Sequence, residues 1–272
     1  MLNARLATAL VLLAGFVMAA LWLPNRWWAA LMLAALAAAA WEWGALAAIR
    51  GARRGLYIGA MVASAWVVGL ASNGVGDGAS PRSGTAVAVY GIGLAFWLLL
   101  ALPWFVRRWQ VRLPFALAAA GWLALVPAWL AMTQLQGDPV RLLALLAIVW
   151  VADTAAYFTG RKWGRHRLAP SVSPAKTWEG VAGACAAVAV YYVALSIFAP
   201  DWRWLDGWSG AVLFAGITLM SIVGDLYESW IKRQAGVKDS GAWLPGHGGI
   251  LDRIDSVISS MPFAALLLAC LR

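Results

Sequence analysis

The chain has 272 residues, of which 63% are hydrophobic and only 12% are charged, with a net charge of +9 and a mean hydropathy of +0.75. A soluble domain carries about twice that fraction of charged residues, so the composition excludes an ordinary soluble protein and predicts an integral membrane protein. The basic residues are scattered among short loops, which assigns the positive charge to membrane topology and anionic lipid headgroups rather than to nucleic acid.

Apolar runs of about 20 residues recur along the whole chain, and each is long enough to cross a bilayer as a helix. The first run follows Arg5 and is longer than the apolar region of a signal peptide, so we predict an uncleaved first helix. The runs do not alternate in polarity, which favours helices over a membrane barrel. The predicted fold is therefore an all-α integral membrane protein, a polytopic bundle of about nine transmembrane helices. The predicted spans lie near 6–24, 27–49, 56–73, 86–106, 113–134, 141–160, 177–199, 208–231 and 254–271.

The distribution of lysine and arginine predicts the orientation. With the N-terminus inside, the inner loops hold 16 of the 21 basic residues and the outer loops hold 5. The positive-inside rule concerns this bias, so we predict that the N-terminus and the charged loops are cytoplasmic and that the C-terminus is periplasmic. Because no organelle-targeting feature is visible, the expected location is a bacterial inner (cytoplasmic) membrane.

The chain divides into two predicted regions. Residues 1–140 hold about five spans rich in tryptophan, which offer a dimer interface, so a homodimer is one expectation. Residues 141–272 form the predicted catalytic region with its cytoplasmic loops. Cys185 and Cys270 lie in apolar runs without a CxxC partner, so neither a disulfide nor a zinc site is indicated, and we expect both to be buried.

Eight of the twelve acidic residues lie in or near predicted spans. Glu42 lies within the second span, and the other seven lie near the inner ends of spans six to nine. A carboxylate at membrane depth costs roughly 2.5 kcal/mol or more, so it usually faces a partner, an ion or a watery cavity. Seven carboxylates at one membrane face suggest one site. These seven are Asp153, Glu179, Asp225, Glu228, Asp239, Asp252 and Asp255.

The junction between spans six and seven combines acids, bases and a helix start. We expect span six to end near Gly160, after Asp153, which pairs either with a basic residue of a neighbouring helix or with a metal ion. Ser173 and Pro174 are typical of an N-cap and the first position of a helix. A helix N-terminus next to Lys176 and Thr177 is suited to binding a phosphate.

The end of span eight and the loop after it carry the densest polar pattern. Asp225 and Glu228 share a helix face, and Lys232 and Arg233 lie at the helix end, where the dipole favours cations. The glycines around His247 predict a tight loop whose backbone N–H groups approach an anion. Asp252 and Asp255 follow on one face of the next helix. Acids without histidine or cysteine clusters favour Mg²⁺, with a second cation as an option.

The run SWIKRQAGVKDSGAWLPGHGGILDRID, residues 229–255, resembles the signature of the phosphatidate cytidylyltransferases, also called CDP-diacylglycerol synthases. Upstream, Ser173-Pro174-x-Lys176-Thr177 is similar to a second motif of that family, and the resemblance covers residues 150 to 256. The fixed positions of the signature that this chain matches are Ser229, Lys232, Arg233, Lys238, Asp239, Pro245, His247, Gly248, Gly249, Asp252, Arg253 and Asp255.

The resemblance implies a Mg²⁺-dependent transfer of CMP from CTP to phosphatidic acid at the cytoplasmic face, giving CDP-diacylglycerol and pyrophosphate. The metal ligands would be Asp225 and Asp252, supported by Asp255 or Asp153. Lys176, with Ser173 and Thr177, would bind phosphate, and Asp225, Asp252 and Lys176 would carry catalysis. The remaining expected substrate-binding residues are Lys232, Arg233, Lys238, Asp239, His247, Gly248, Gly249 and Arg253. His247 is as readily a loop hydrogen-bonding residue as an acid or base.

Two other functions use similar parts. A transferase acting on a nucleotide sugar and a polyprenyl phosphate would also need aspartates and Mg²⁺, but an adjacent Asp-Asp pair is expected there and is absent from this sequence. An ion-coupled transporter or lipid flippase predicts broken helices at mid-membrane and repeated halves. The acids of this chain instead gather at one face beside basic residues.

Overall fold

The structure is a computed structural model that describes residues 2–76, 81–199, 202, 204, 207–241 and 248–271, with side chains from Leu10 onward. Helices account for nearly all of it, as predicted. They are α1 (Leu2–Trp22), α2 (Asn25–Leu46), α3 (Ala52–Ala71), α4 (Gly84–Ala95), α5 (Leu102–Val106), α6 (Pro114–Leu135), α7 (Pro139–Trp163), α8 (Trp178–Phe198), α9 (Gly207–Gln234) and α10 (Leu251–Cys270). A two-stranded antiparallel sheet of β1 (Arg167–Ala169) and β2 (Ser173–Thr177) was not predicted.

Eight of the nine predicted membrane spans are confirmed among the residues that the structure describes. Eight helices are long and apolar enough to cross a membrane, with α4, α5 and the segment between them forming one helix over Gly84–Val106. The first predicted span corresponds to α1, of which Leu10–Trp22 forms a shorter apolar helix. The protein is therefore a multi-pass membrane protein.

The fourth span departs from a regular α-helix. Phe96–Ala101 is π-helical, and the N–H of Leu102 donates to the carbonyl of Trp97. Pro103 has no N–H to continue the ladder, which places the irregular turn next to it. Phe96, Trp97 and Trp104 surround the ring of Tyr227 edge-on, with ring centroids 5.5–5.9 Å away. The irregular turn thus packs the fourth span onto α9.

Helix α6 is the centre of the bundle, because about two-thirds (67%) of its span is buried, against 11% for α8. Tryptophan side chains bind it to α2. The indole of Trp28 donates to the carbonyl of Met132 at 2.9 Å, and that of Trp43 donates to Leu117 at 2.7 Å. Such polar contacts between helices stabilise association where lipid removes the hydrophobic driving force.

The loops predicted for opposite membrane faces gather at opposite ends of the bundle. At one end, Asn25 donates to the carbonyl of Thr133 at 2.8 Å and accepts from the N–H of Gly76 at 2.8 Å. At the other end, the N–H of Val111 donates to the side chain of Gln234 at 3.0 Å. The second group contains the loops predicted to be cytoplasmic.

The two cysteines are not buried as expected. Cys185 of α8 and Cys270 of α10 are both exposed and unpaired by disulfide. Helix α8 packs only a narrow face on the bundle, so most of its residues face outward, where a cysteine meets lipid as readily as an alanine does.

Helices α9 and α10 approach each other closely at Gly224. A Cβ atom at this position would lie 2.3 Å from both the backbone oxygen of Asp255 and the hydroxyl oxygen of Ser259. We expect Gly224→Ala to destabilise the protein by about 1–3 kcal/mol, because the added methyl group forces the helices apart. Thermal unfolding in detergent measures this loss.

The matched control is Gly59→Ala in α3, where an added Cβ meets nothing within 4 Å. This variant should be neutral or more stable by up to about 1 kcal/mol, since alanine is the better helix former. Equal Tm values for the two variants would show that the α9–α10 contact is not as close as described.

Candidate active site

The junction between α7 and α8 differs from its predicted form. Helix α7 runs past Gly160 to Trp163, and Ser173 and Pro174 lie in β2 rather than at a helix start. Ser173 pairs with Ala169 across the small sheet. Because this pairing holds Ser173 in a strand, the helix starts four residues later and Thr177 becomes its N-cap. The prediction of a Ser173 N-cap was therefore wrong.

Thr177 caps α8 through its side chain. Its backbone is extended, and its hydroxyl oxygen accepts from the N–H of Gly180 at 3.1 Å. Gly160 and Gly164 leave room for it, since a Cβ at either position would lie 2.9 Å from the Thr177 hydroxyl oxygen. The prediction of a hydroxyl side chain as the N-cap of this helix was correct, but the residue is Thr177 and not Ser173.

We expect Thr177→Val to lower the free energy of unfolding by about 1 kcal/mol, because the first turn of α8 loses its acceptor. Thr177→Ser keeps the hydroxyl and should unfold near the wild-type temperature. A Tm for Thr177→Val equal to that of Thr177→Ser would contradict the capping role.

The strand β2 carries Lys176 to the acidic end of α9. The ammonium of Lys176 makes an ion pair with Asp225. The hydroxyl of Ser229, one turn further along α9, lies 3.4 Å from the other oxygen of Asp225. Two predicted catalytic residues that lie 49 positions apart in the sequence are thus in direct contact.

Lys232 joins α9 to α10. Its Nζ atom lies 2.5 Å from Oε2 of Glu228 and 2.5 Å from Oδ1 of Asp252. Glu228 is fully buried, and although it forms this ion pair, neither of its oxygens has a hydrogen bond of good geometry among the described residues. The lysine therefore compensates two carboxylates in a region with little access to water.

Asp252 accepts hydrogen bonds from the loop that precedes α10. Its Oδ2 atom accepts from the N–H groups of Gly249 at 2.8 Å and Ser240 at 3.0 Å, and it lies 3.1 Å from the hydroxyl of Ser240. Gly248 has φ +80°, and a Cβ there would lie 2.9 Å from the same oxygen. Glycine is therefore required at 248 for both conformation and space.

Asp153 and Asp255 approach the same cluster from α7 and α10. Asp153 lies close enough to Asp225 and Lys176 to interact electrostatically with both. Asp255 interacts with Asp225, Glu228 and Lys176, and its Oδ1 accepts from the N–H of Ser256 at 2.7 Å. All four predicted metal ligands thus belong to one cluster.

The cluster has the donor chemistry for a hard cation. Five carboxylates, those of Asp153, Asp225, Glu228, Asp252 and Asp255, face the two ammonium groups of Lys176 and Lys232. The excess negative charge and the oxygen ligands fit Mg²⁺. Among the described residues, however, no three of these groups are arranged to hold an ion. Asp225 and Asp252 are each paired with a lysine instead.

The remaining predicted residues that the structure describes do not belong to the cluster of ion pairs. The guanidinium of Arg233 donates to the carbonyls of Val172 and Val237, both at 3.3 Å. Lys238 and Asp239 are exposed. Glu179, one of the seven acids expected at the site, accepts from the backbone and ring of His166 instead. His247 lies outside the described residues.

Glu42 is the site residue that the sequence did not assign. Its carboxylate is 1% exposed and accepts from the hydroxyl of Ser240 at 2.8 Å and from the N–H groups of Ile250 and Leu251, both at 2.9 Å. Its position within an apolar span was a signal that it has a partner. The partner was not visible, because it lies about 200 residues away in the chain.

An apolar cavity of about 500 Å³ lies among α1, α2, α6, α7 and α10. Its walls include Phe16, Leu36, Trp129 and Trp150, and Arg253 contributes the basic group to its lining. Arg253 is exposed and immediately follows Asp252. The apolar cavity therefore lies next to the polar cluster, and the two meet at the first turn of α10.

Comparison with known proteins identifies the family. The sequence profile of the cytidylyltransferase family matches residues 3–271. A Pseudomonas aeruginosa protein named phosphatidate cytidylyltransferase is 38% identical over 99% of this chain and 98% of its own length. Proteins of the same name from Haemophilus influenzae and Brucella suis are 37% and 46% identical over 63% and 51% of this chain, and over 63% and 50% of their own lengths. The chain belongs to the cytidylyltransferase family.

Proposed function

We infer that this protein is a phosphatidate cytidylyltransferase, which transfers CMP from CTP to phosphatidic acid and releases pyrophosphate. The observation that carries this inference is the similarity over nearly the whole of both chains to the Pseudomonas aeruginosa protein of that name. The cluster of acids and lysines at one end of a membrane bundle, beside an apolar cavity, has the parts that such a reaction needs.

In the reaction, an oxygen of the phosphatidate phosphate attacks the α-phosphorus of CTP. The bond from the α-phosphorus to the bridging oxygen breaks, and pyrophosphate leaves with the electron pair. A phosphate monoester is already largely ionised at neutral pH, since its second pKa is about 6. No strong general base is needed, so catalysis rests on positioning and on stabilisation of negative charge.

The lysines and loop amides are suited to binding phosphate. Lys176 comes from β2 and Lys232 from α9, so their ammonium groups approach the cluster from two elements. Ser173 and Thr177 flank Lys176, while Arg233, Lys238 and Arg253 add positive charge around the cluster. Asp239, His247, Gly248 and Gly249 belong to the segment that we assign to nucleotide contact or loop order. The acyl chains of the lipid are apolar, as is the cavity next to Arg253.

Mg²⁺ is the proposed cofactor, with a second cation as an option. Asp225 and Asp252 would hold it, with Asp153 and Asp255 in support, and the bound ion would supply neutralisation of charge on the phosphates. Each of the first two carboxylates is paired with a lysine. With the ion held by these carboxylates, both lysines would be available to bind a phosphate.

We also assign the protein to a bacterial inner membrane with its active-site loops in the cytoplasm, where CTP is made. The excess of basic residues in the inner loops supports this orientation. A homodimer through the early spans remains a proposal.

The test is pyrophosphate release by the detergent-purified protein with Mg²⁺, with and without phosphatidate, for CTP and the other three nucleoside triphosphates. The expected result is release with CTP that requires the lipid. A folded protein that releases no pyrophosphate with any nucleotide would contradict the assignment and return ion or lipid transport to consideration.

A further inference from the structure

Glu42 is a buried carboxylate whose hydrogen-bond donors all lie outside its own helix. It lies in α2, within the region assigned to the early spans, and its side chain is almost fully buried. A buried carboxylate is costly unless several donors satisfy it. The donors that satisfy Glu42 are Ser240, Ile250 and Leu251, all of which precede Asp252 in the chain.

The first contact of Glu42 is with the start of α10. Ile250 is the N-cap residue of this helix and supplies no side-chain cap. The two carboxylate oxygens of Glu42 accept instead from the N–H groups of Ile250 and Leu251. An anion at this end also complements the helix dipole. A residue of α2 therefore performs the capping of α10, the helix that begins with the Asp252 turn.

The second contact leads directly to Asp252. The hydroxyl oxygen of Ser240 lies 2.8 Å from Oε2 of Glu42 and 3.1 Å from Oδ2 of Asp252. The hydroxyl has one proton, which it gives to either carboxylate, so it links the two. Glu42 is thus linked to Asp252 in two ways. One link is the hydroxyl of Ser240, and the other is the backbone at the start of α10.

The surrounding glycines fit the Glu42 carboxylate closely. A Cβ at Gly241 would lie 2.3 Å from Oε1 of Glu42, and one at Gly249 would lie 2.5 Å from Oε2. Any larger residue at either position would displace the carboxylate. The glycines of this segment therefore make room for a side chain from α2 as well as for the turn itself.

We propose that Glu42 is a positioning residue for the cytidylyl-transfer site: it fixes the start of α10 and, through Ser240, orients the carboxylate of Asp252 for its cation. This inference rests on the proposed function, which assigns a cation to Asp252. It adds a residue from the early spans to the site, so the two regions of the chain form one catalytic unit. Glu42 itself touches no substrate in this role.

The test compares Glu42→Gln with Asn25→Ala by two measurements. Glutamine keeps the size of the side chain, but its NH₂ group cannot accept a hydrogen bond from the donors that surround Glu42. Asn25 is a buried polar residue at the opposite end of α2, with hydrogen bonds to Thr133 and Gln136, so its loss disturbs the same helix far from the site. One measurement is amide hydrogen exchange of residues 248–252 without Mg²⁺. The other is the Mg²⁺ concentration that gives half of the Mg²⁺-induced rise in Tm.

For Glu42→Gln we expect amide exchange in residues 248–252 to be about 10-fold faster, and the half-saturating Mg²⁺ concentration to rise about 10- to 100-fold, as for other groups that orient metal ligands. Asn25→Ala should lower Tm and change neither quantity. No change in Glu42→Gln, or equal changes in both variants, would overturn the proposal.

Ser240→Ala keeps the inference falsifiable if Glu42→Gln does not fold, because it breaks only the link between the two carboxylates. It should raise the half-saturating Mg²⁺ concentration, and an unchanged value would then count against the proposal. The exchange measurement requires no turnover. A wild-type protein that fails to use CTP would therefore contradict the proposed function without deciding the role of Glu42.

Discussion

Asp252→Asn is expected to lower the rate of CTP-dependent pyrophosphate release by about 10³-fold, which is the upper range for removing one electrostatic group from an active site. The carboxylate accepts from two N–H groups on one oxygen and faces Lys232 with the other. An amide has only one oxygen, so its NH₂ group must point at donors on one side or the other. The measurement is the initial rate with saturating CTP and phosphatidate.

The matched control for Asp252→Asn is Asp138→Asn. Asp138 caps α7, with its side chain accepting from the N–H of Arg141 at 3.1 Å, and asparagine caps a helix equally well. This variant should keep wild-type activity. Comparable activity for Asp252→Asn and the wild type would contradict the central role of Asp252.

Lys232→Met is expected to abolish activity and to lower the free energy of unfolding by about 3–5 kcal/mol. The lysine is largely buried and forms ion pairs with Glu228 and Asp252, so its removal leaves two buried carboxylates without their cation. Thermal unfolding and pyrophosphate release should be measured on the same preparation.

A second substitution separates the stability effect from the catalytic one. Adding Glu228→Gln to Lys232→Met removes the fully buried negative charge, so stability should recover in part. Activity should not recover, because the ammonium group that faces Asp252, and that we propose binds the substrate phosphates, is still missing. A double variant that regains activity along with stability would show that Lys232 has only a structural role.

The helical architecture was predictable because spans of about 20 apolar residues have few alternatives in a bilayer. The gathering of Asp153, Asp225, Asp252 and Asp255 was predictable because all four lie near the ends of predicted spans that face the same side of the membrane. The small sheet was not predictable, because β1 and β2 have three and five residues and lie in a polar loop with no alternating pattern. Its presence moved the helix cap from Ser173 to Thr177.

The role of Glu42 was beyond the reach of sequence patterns for a different reason. A buried acid in an apolar helix indicates that a partner exists, but Ser240 and Ile250 lie between α9 and α10, about 200 residues away in the chain. Nothing in local periodicity encodes which helices meet. The pairing of Lys176 with Asp225 and of Lys232 with Asp252 was not predicted either, since Lys176 was assigned to phosphate and Lys232 to the helix dipole or to substrate.

The central claim is that a cytidylyl group, and not a terminal phosphate, moves to the lipid. The most direct test supplies the purified protein with phosphatidate, Mg²⁺ and CTP labelled either at the α- or at the γ-phosphorus, and then separates lipid from aqueous products. We predict α-label in the lipid and γ-label in aqueous pyrophosphate. Label from the γ-position in the lipid would show phosphoryl transfer, and absence of both labels from the lipid would show that phosphatidate is not the acceptor.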